Sequence, residues 1–172
     1  ASFVARTLDR DPKHMQAILK RAHAHKGTSF VEVYQNCPVF NDGAFFQFSD
    51  KETKKEEAIF LEHGKPLIFG QSDEKAIRLD GLTPVICDVT EEGVNDLWVH
   101  DEEDKTKAQL ISRFFDTTFN DVHFPRPFGV IYAQERPVYE EMMAAQIAEV
   151  TTKKGKTPLN KILSGEKTWN IL

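Results

Sequence analysis

Two short apolar runs flank a helix with a written start and stop, and this arrangement constrains the first 34 residues more than any other feature of the chain. Residues 2 to 7 are an apolar run of strand length, and Asp9-Arg-Asp-Pro12 follows it. Asp11 suits a helix N-cap and Pro12 the first helical position, because the proline ring presets φ where no backbone donor is needed. Met15, Ile18, Leu19 and Ala22 recur at i, i+3, i+4 and i+7, which places one apolar stripe against a sheet. Lys20, Arg21, His23, His25 and Lys26 crowd the last turns, where cations complement the negative end of the helix dipole, and Gly27 can adopt a left-handed stop. Thr28 to Tyr34 then reads as a second strand, rich in β-branched and aromatic residues and apolar at most positions, as when helices cover both faces. A strand, a helix and a strand of these lengths close as a right-handed parallel crossover, so the expected class is α/β.

A thiol stands just past the second strand, in Tyr34-Gln35-Asn36-Cys37-Pro38-Val39-Phe40-Asn41-Asp42-Gly43. In open α/β sheets, ligands collect beyond the carboxyl ends of parallel strands, where loops converge without disturbing the core. Pro38 fixes its own φ and biases Cys37 toward an extended backbone, so the sulfur is held in a defined direction. The residues alone leave two readings, since free cysteine also behaves as a small buried hydrophobe. Cys87, inside the apolar run Pro84-Val-Ile-Cys-Asp-Val89, is expected in the core.

The rest of the chain is punctuated more densely. Ser49-Asp-Lys-Glu-Thr-Lys-Lys-Glu-Glu57 suggests a short solvated helix. From Ile59 to Val99, glycines and prolines separate apolar runs at 67–69, 76–79, 84–89 and 97–99, which suggests short strands and turns over the first unit rather than a second crossover domain. Glu102 to Thr117 is expected to be helical, Phe128 to Ala133 a strand, Pro137 to about Val150 an amphipathic helix, and Pro158 to Leu163 a last short helix. The tail Thr168-Trp-Asn-Ile-Leu172 ends on apolar residues that suit docking.

The chain has 172 residues, and 22 basic against 27 acidic residues leave a net charge of −5, a poor match to a polyanion such as nucleic acid. No run approaches the roughly 18 apolar residues that span a bilayer, and no secretory signal opens the chain, so a cytoplasmic location is expected. The opening, Ala1-Ser-Phe-Val-Ala-Arg6, is already strand-like and suggests that the sequence is part of a longer protein.

Phe3 to His14 and His25 to Gly43 together resemble the β subunit of 2-oxoacid:ferredoxin oxidoreductases, most of all the 2-oxoglutarate type. The likeness continues through Leu61-Glu-His-Gly-Lys-Pro-Leu67, Ile77-Arg-Leu-Asp80, Val99-His-Asp101, Phe124-Pro-Arg-Pro-Phe-Gly-Val130 and Glu135-Arg-Pro-Val-Tyr-Glu-Glu141, all of which are similar to that subunit's carboxyl-terminal half. The resemblance implies a partial thiamine-diphosphate-binding fold: residues 1–43 would form the last part of that domain and 44–172 a C-terminal extension of short strands and helices packed on it. It also implies oxidative decarboxylation of a 2-oxoacid to an acyl-coenzyme A, with electrons leaving through a 4Fe-4S cluster to ferredoxin. An α subunit is the implied partner. Cys37 would be one cluster ligand, the other three lying upstream of this sequence. The thiamine diphosphate and Mg²⁺ ligands of the family belong to a Gly-Asp-Gly motif and a later Asn that are not found here, so no cofactor-binding or catalytic residue is assigned. The isolated chain is expected to be inactive.

Other chemistries have weaker patterns. His63, His100 and His123, with Asp101 or Asp121, lack zinc-ligand spacing; there is no Gly-x-Ser-x-Gly elbow; and Gly64 to Gly70 lacks a phosphate loop's Lys-Ser/Thr. Arg126 and Arg136 suit either structural ion pairs or bidentate capture of a carboxylate. The competing non-enzymatic reading is a docking or scaffold module that contacts the α subunit.

Overall fold

The structure, a computed structural model, describes residues 1–90, 96–116, 119, 121–165 and 169. These residues form two compact units, Ala1–Arg136 and Pro137–Leu172.

The first unit is built on the expected crossover. Strand β1 (Phe3–Leu8), helix α1 (Pro12–Ala24) and strand β2 (Ser29–Tyr34) follow in order, and β1 pairs with β2 in parallel from Phe3↔Ser29 to Leu8↔Tyr34. Asp11 caps α1 as expected, its Oδ1 accepting from the His14 N–H at 3.1 Å. Such a cap contributes about 1 kcal/mol. The helix ends at Ala24 with His25 as C-cap, before reaching Gly27. Of the apolar stripe, Ile18 is buried, Ala22 packs at the margin, and Leu19 is 46% exposed.

Strand β2 departs from expectation in its surroundings. Phe30 is 58% and Val33 39% exposed, and β2 stands at the end of the sheet order β2-β1-β7-β3. Helix α1 covers one face only, so the apolar composition of β2 does not reflect cover by helices on both sides. An apolar run records what a strand buries in its final assembly, which need not come from the described residues.

The sheet is completed by distant strands. Between β2 and the next elements lie a 3-10 turn (Phe46–Phe48) and helix α2 (Lys54–Glu57), so only the end of the charged stretch 49–57 is helical. Strand β3 (Ala58–Leu61) joins the main sheet beside β7 (Arg126–Ala133), the two running parallel. Strand β7 lies antiparallel to β1 and fills the middle of the sheet. Its first six residues are buried, and it starts at Arg126-Pro127 rather than at Phe128. Gly129 makes this packing possible. Its φ is +113°, and a Cβ there would stand 2.6 Å from the Leu61 carbonyl oxygen.

Strands β4 (Ile68–Phe69), β5 (Lys75–Asp80) and β6 (Thr83–Asp88) make a separate antiparallel sheet, which accounts for three of the four short runs read from the sequence. The fourth contributes isolated bridges, Arg78↔Leu97 and Pro66↔Val99. Helix α3 (Lys105–Ile111) is shorter than expected. Asp104 Oδ1 caps it, accepting from the Thr106 and Lys107 N–H groups at 3.0 Å each, and turns follow it to Phe115, whose φ of +74° cannot continue a helix. The largest core cluster joins β3, β4, β5, α3 and β7 through Ile59, Leu61, Phe69, Ile77, Ile111 and Ile131. Cys87 is half-buried on β6, with its Sγ 3.6 Å from the Ala76 carbonyl oxygen, rather than in the core.

The second unit holds α4 (Tyr139–Lys154), which runs one turn past Val150, and α5 (Leu159–Ser164). The tail expected to dock, 168–172, lies outside the described residues apart from Trp169, which is exposed.

Gly129→Ala is expected to lower stability by about 3 kcal/mol or more, because it combines a strained φ with a clash against backbone that cannot yield. Urea unfolding of wild type and variant measures the difference.

Candidate functional site

The carboxyl ends of β1 and β2 and the start of β7 meet at one end of the sheet, and the Cys37 loop leaves from there. Leu8 and Tyr34 are register partners, and the Arg6 guanidinium donates from Nη1 to the Pro127 carbonyl at 3.0 Å. An aromatic cluster packs beneath the loop. Tyr34 stacks on Phe45 at 4.3 Å between ring centroids and meets Phe48 and Phe128 at 5.8 and 5.6 Å.

Two guanidinium groups face the Tyr34 ring, Arg6 at 5.4 Å and Arg126 at 5.8 Å. Each has its own carboxylate: Arg6 Nε donates to Glu32 Oε2 at 2.5 Å, and Arg126 makes a two-pronged pair with Asp116 at 2.5 Å in both arms. Arg126 also lies 4.4 Å above the Phe115 ring. The structure therefore decides between the two roles left open for Arg126: its fork is filled from within, and it acts as a structural ion pair. The Arg126 guanidinium holds the Asp116 carboxyl below its usual range, chiefly by hydrogen bonding. Arg136 is exposed, and its backbone N–H donates to the Lys26 carbonyl at 3.0 Å.

The loop closes on a single side chain. Asn36 uses both ends of its amide, donating from Nδ2 to Asp42 Oδ1 at 2.9 Å and accepting at Oδ1 from the Gly43 N–H at 2.8 Å. The Asn41 N–H also donates to the Cys37 carbonyl at 2.9 Å, and Gly43, with φ of +78°, turns the chain out of the loop. Within this frame Cys37 is partly exposed. Nearby backbone N–H groups, chiefly those of Phe40 and Val39, push the thiol below its ordinary pKa. The tip carries two bare hydrophobes, Val39 at 80% and Phe40 at 90% exposure. The sulfur is thus not a packed core atom. A partly exposed thiol is accessible to metal or oxidant, unlike a packed core cysteine.

The three histidines do not come together. His100 is buried, and its Nε2–H donates to the Val130 carbonyl at 2.8 Å, with burial pushing its imidazole below its usual pKa. His63 Nδ1 accepts from the Glu102 N–H at 3.2 Å and lies 3.8 Å from Asp101, while His123 sits 3.2 Å from Glu57. Among the described residues, no group of three His, Cys, Asp or Glu is placed to hold a metal ion. Cys37 stands outside any such group among the described residues. The stretch Gly64 to Gly70 is bridged to the 98–100 segment, with Leu67 N–H donating to the Trp98 carbonyl at 2.9 Å.

A polar cleft of about 560 Å³ lies at the opposite end of β1, lined by Arg21, His25, His63, Glu102 and Glu135 among others. Arg21 donates two hydrogen bonds to the buried Glu102, at 2.9 and 2.6 Å, so the principal opposite charges there neutralise each other.

Sequence reasoning singled out Cys37 and the Asn and Asp-Gly flanking it, but not the clamp those flanks form. It also missed Asp116. Asn, Asp and Gly within eight residues signal a turn, whereas the link between positions 116 and 126 has no local signal.

A mixed α/β sheet with a parallel crossover and a thiol-bearing loop at the strand ends defines the class of chain. A solved structure of 2-oxoglutarate:ferredoxin oxidoreductase from Magnetococcus marinus, with 2-oxoglutarate, coenzyme A and succinyl-CoA bound, shares the fold at a TM-score of 0.54 and 17% identity, covering 98% of this chain and 41% of that one. No family model matches the chain. The 2-oxoglutarate oxidoreductase subunit KorB of Mycobacterium tuberculosis is 30% identical over 175 residues, covering 99% of this chain and 46% of that protein. The β subunit of 2-oxoacid:ferredoxin oxidoreductase from Saccharolobus solfataricus is 41% identical over 54 residues, 31% of this chain and 18% of that one. The chain is a homologue of the β subunits of 2-oxoacid:ferredoxin oxidoreductases. It spans less than half the length of the mycobacterial relative.

Asp116→Ala is expected to cost about 2 kcal/mol, less than a fully buried pair, because Asp116 stays in water while the buried Arg126 loses its partner. The pair's contribution is present above the ordinary carboxylate value of 3.8 and lost as pH falls below it, since the folded state holds Asp116 ionised. Urea unfolding of wild type and Asp116→Ala at neutral and acid pH checks both the size and the sign, and the gap should narrow in acid.

Proposed function

We propose that this chain works as part of the β subunit of a 2-oxoacid:ferredoxin oxidoreductase, and that Cys37 supplies one thiolate to a 4Fe-4S cluster whose other ligands lie upstream of this sequence. The observation that carries the reading is the place of the sulfur: partly exposed, just past a strand end, in a loop closed by the Asn36 side chain. In this reading residues 1–43 are the last part of a thiamine-diphosphate-binding domain and 44–172 an extension packed on it. The sharing of one sheet by β1, β2, β3 and β7 supports that packing.

The reaction is oxidative decarboxylation of a 2-oxoacid to an acyl-coenzyme A, with electrons passed to ferredoxin. Likeness to KorB and to the Magnetococcus marinus enzyme favours 2-oxoglutarate as substrate. Thiamine diphosphate with Mg²⁺ supplies carbanion stabilisation and the cluster supplies one-electron transfer when they are bound. This chain's own share is to fix one thiolate just past the strand end and to keep Arg6 and Arg126 beside Tyr34 at the base of the loop. No residue here is assigned to thiamine diphosphate or Mg²⁺, because the Gly-Asp-Gly motif and later Asn that the resemblance calls for are not found in this sequence. An α subunit is the proposed partner, and the cytoplasm the proposed location. Among the described residues no helix is long and apolar enough to cross a membrane.

The second reading, a docking module without catalytic duty, draws on the exposed Phe30 and Val33 of β2 and the exposed Val39 and Phe40 of the loop. The genomic reading frame separates the two: the enzyme reading requires an upstream Gly-Asp-Gly motif and a Cys-x-x-Cys pair, and a start codon directly before Ala1 defeats it.

In the complete subunit, purified without oxygen, Cys37→Ser is expected to abolish the cluster or change its spectrum. Iron and sulfide content with electron paramagnetic resonance measures this, and an unaltered cluster overturns the ligand role. The 172-residue chain alone should show no 2-oxoacid-dependent dye reduction.

A further inference from the structure

We propose that α4 is a self-pairing surface, on which a second copy of this chain lays its own α4 antiparallel. Tyr139, Met142, Met143, Gln146, Ile147 and Val150 recur at i, i+3, i+4, i+7, i+8 and i+11, so their side chains share one side of the helix, with Ala144 and Ala148 on the other. This stripe is bare. Its apolar members run from 42% exposed at Met143 to 73% at Tyr139, and no residue of α4 is buried. A lone helix of 16 residues is marginal in water, and packing of an apolar face is what keeps most helices of this length formed. The stripe therefore calls for a cover.

The charges of α4 name the occupant, because they match their own reverse. Glu140 and Glu141 stand in its first turn, Lys153 and Lys154 in its last. Lys153 is engaged within the helix, its Nζ donating to Glu149 Oε1 at 2.6 Å. Among the described residues, Glu140, Glu141 and Lys154 form no ion pair. Glu140, Ile147 and Lys154 are spaced by seven and so make one flank of the stripe, acidic at one end, apolar in the middle and basic at the other. Turned about a two-fold axis near Ile147, that flank meets itself: Glu140 of each helix faces Lys154 of the other, and symmetry makes the contact twice. A parallel pair would instead set Glu140 against Glu140 and Lys154 against Lys154, with the two helix dipoles aligned. Charge thus selects both the partner and its direction. An interface of four helical turns is small beside that of a permanent dimer, so the pair is expected to dissociate on dilution.

Sedimentation velocity of the 172-residue chain, from about 1 to 200 μM, is expected to show monomer passing into dimer. Met143→Glu puts a charge into the stripe and should raise the midpoint concentration at least about tenfold. Glu140→Lys alone and Lys154→Glu alone should each weaken the dimer, since each sets like charges together at both ends. Mixing these two variants should return the midpoint toward the wild-type value, because the mixed pair again has opposite charges at both ends while neither helix differs from its form in the separate samples. Under mild oxidation Gln146→Cys, close to the axis, should give a dimer linked through position 146 in peptide-resolved mass spectrometry, and Tyr139→Cys should give none through position 139.

A chain that stays monomeric over the whole range overturns the proposal, and if Met143 then becomes protected only when an α subunit is added, the stripe belongs to that partner. A dimer that Met143→Glu leaves intact, or a mixture of the two charge variants no tighter than either alone, places the contact elsewhere and overturns it too. Linkage through Tyr139→Cys marks a parallel pair and overturns the antiparallel assignment.

Discussion

The close approach of β7 to β3 at Gly129 is the constraint on which the first unit depends. With no Cβ in the way, the strand lies against the Leu61 backbone and fills the centre of the sheet between β1 and β3. Without it the crossover of β1, α1 and β2 would be a two-stranded fragment with one helix, too small to bury a core. With it, Val130 packs toward α1 and Ile131 toward the large cluster, so a single strand ties both sides of the sheet together.

That same strand begins at the end of the sheet where the chemistry is placed. Arg126, its first residue, is buried, paired with Asp116 and surrounded by Tyr34, Phe48 and Phe115. A buried guanidinium is costly unless its charge is met and its donors used, and the fork of Asp116 meets the charge and takes both Nη donors, leaving the buried Nε without a hydrogen-bond partner. The aromatic faces add favourable contact with the cation. The result is a stiff base under a loop that is itself barely packed. Tyr34 links them, since it belongs to the aromatic cluster and lies three residues before Cys37. A rigid sheet end thus carries a loop whose shape is set by its own hydrogen bonds.

The crossover was legible because its signals are local. Asp11 caps α1 through a bond three residues away, and the helix stripe and strand runs repeat over a single turn or pleat. The short strands between Gly64 and Val99 were legible for the same reason, from glycine and proline spacing. Elsewhere local reading misled. Cys87 looks like core because its neighbours are apolar, yet β6 is the edge of a small sheet and leaves it half-buried. The expected helix from Glu102 stops at Ile111, because Phe115 adopts a left-handed backbone to swing Asp116 toward Arg126. A tertiary ion pair there outweighs several residues of good helix propensity.

The sequence by itself determined the parallel crossover, the capped helix and the placing of Cys37 in a turn just past a strand, because each follows from rules that act over fewer than about ten residues. Only the tertiary structure decided that β7 divides β1 from β3, that Arg126 pairs with Asp116, that β2 is a half-bare edge, and that Cys37 is left partly exposed. Those facts depend on where the chain returns after long excursions. Such pairings are selected by the fit of whole surfaces, which no short window of residues contains.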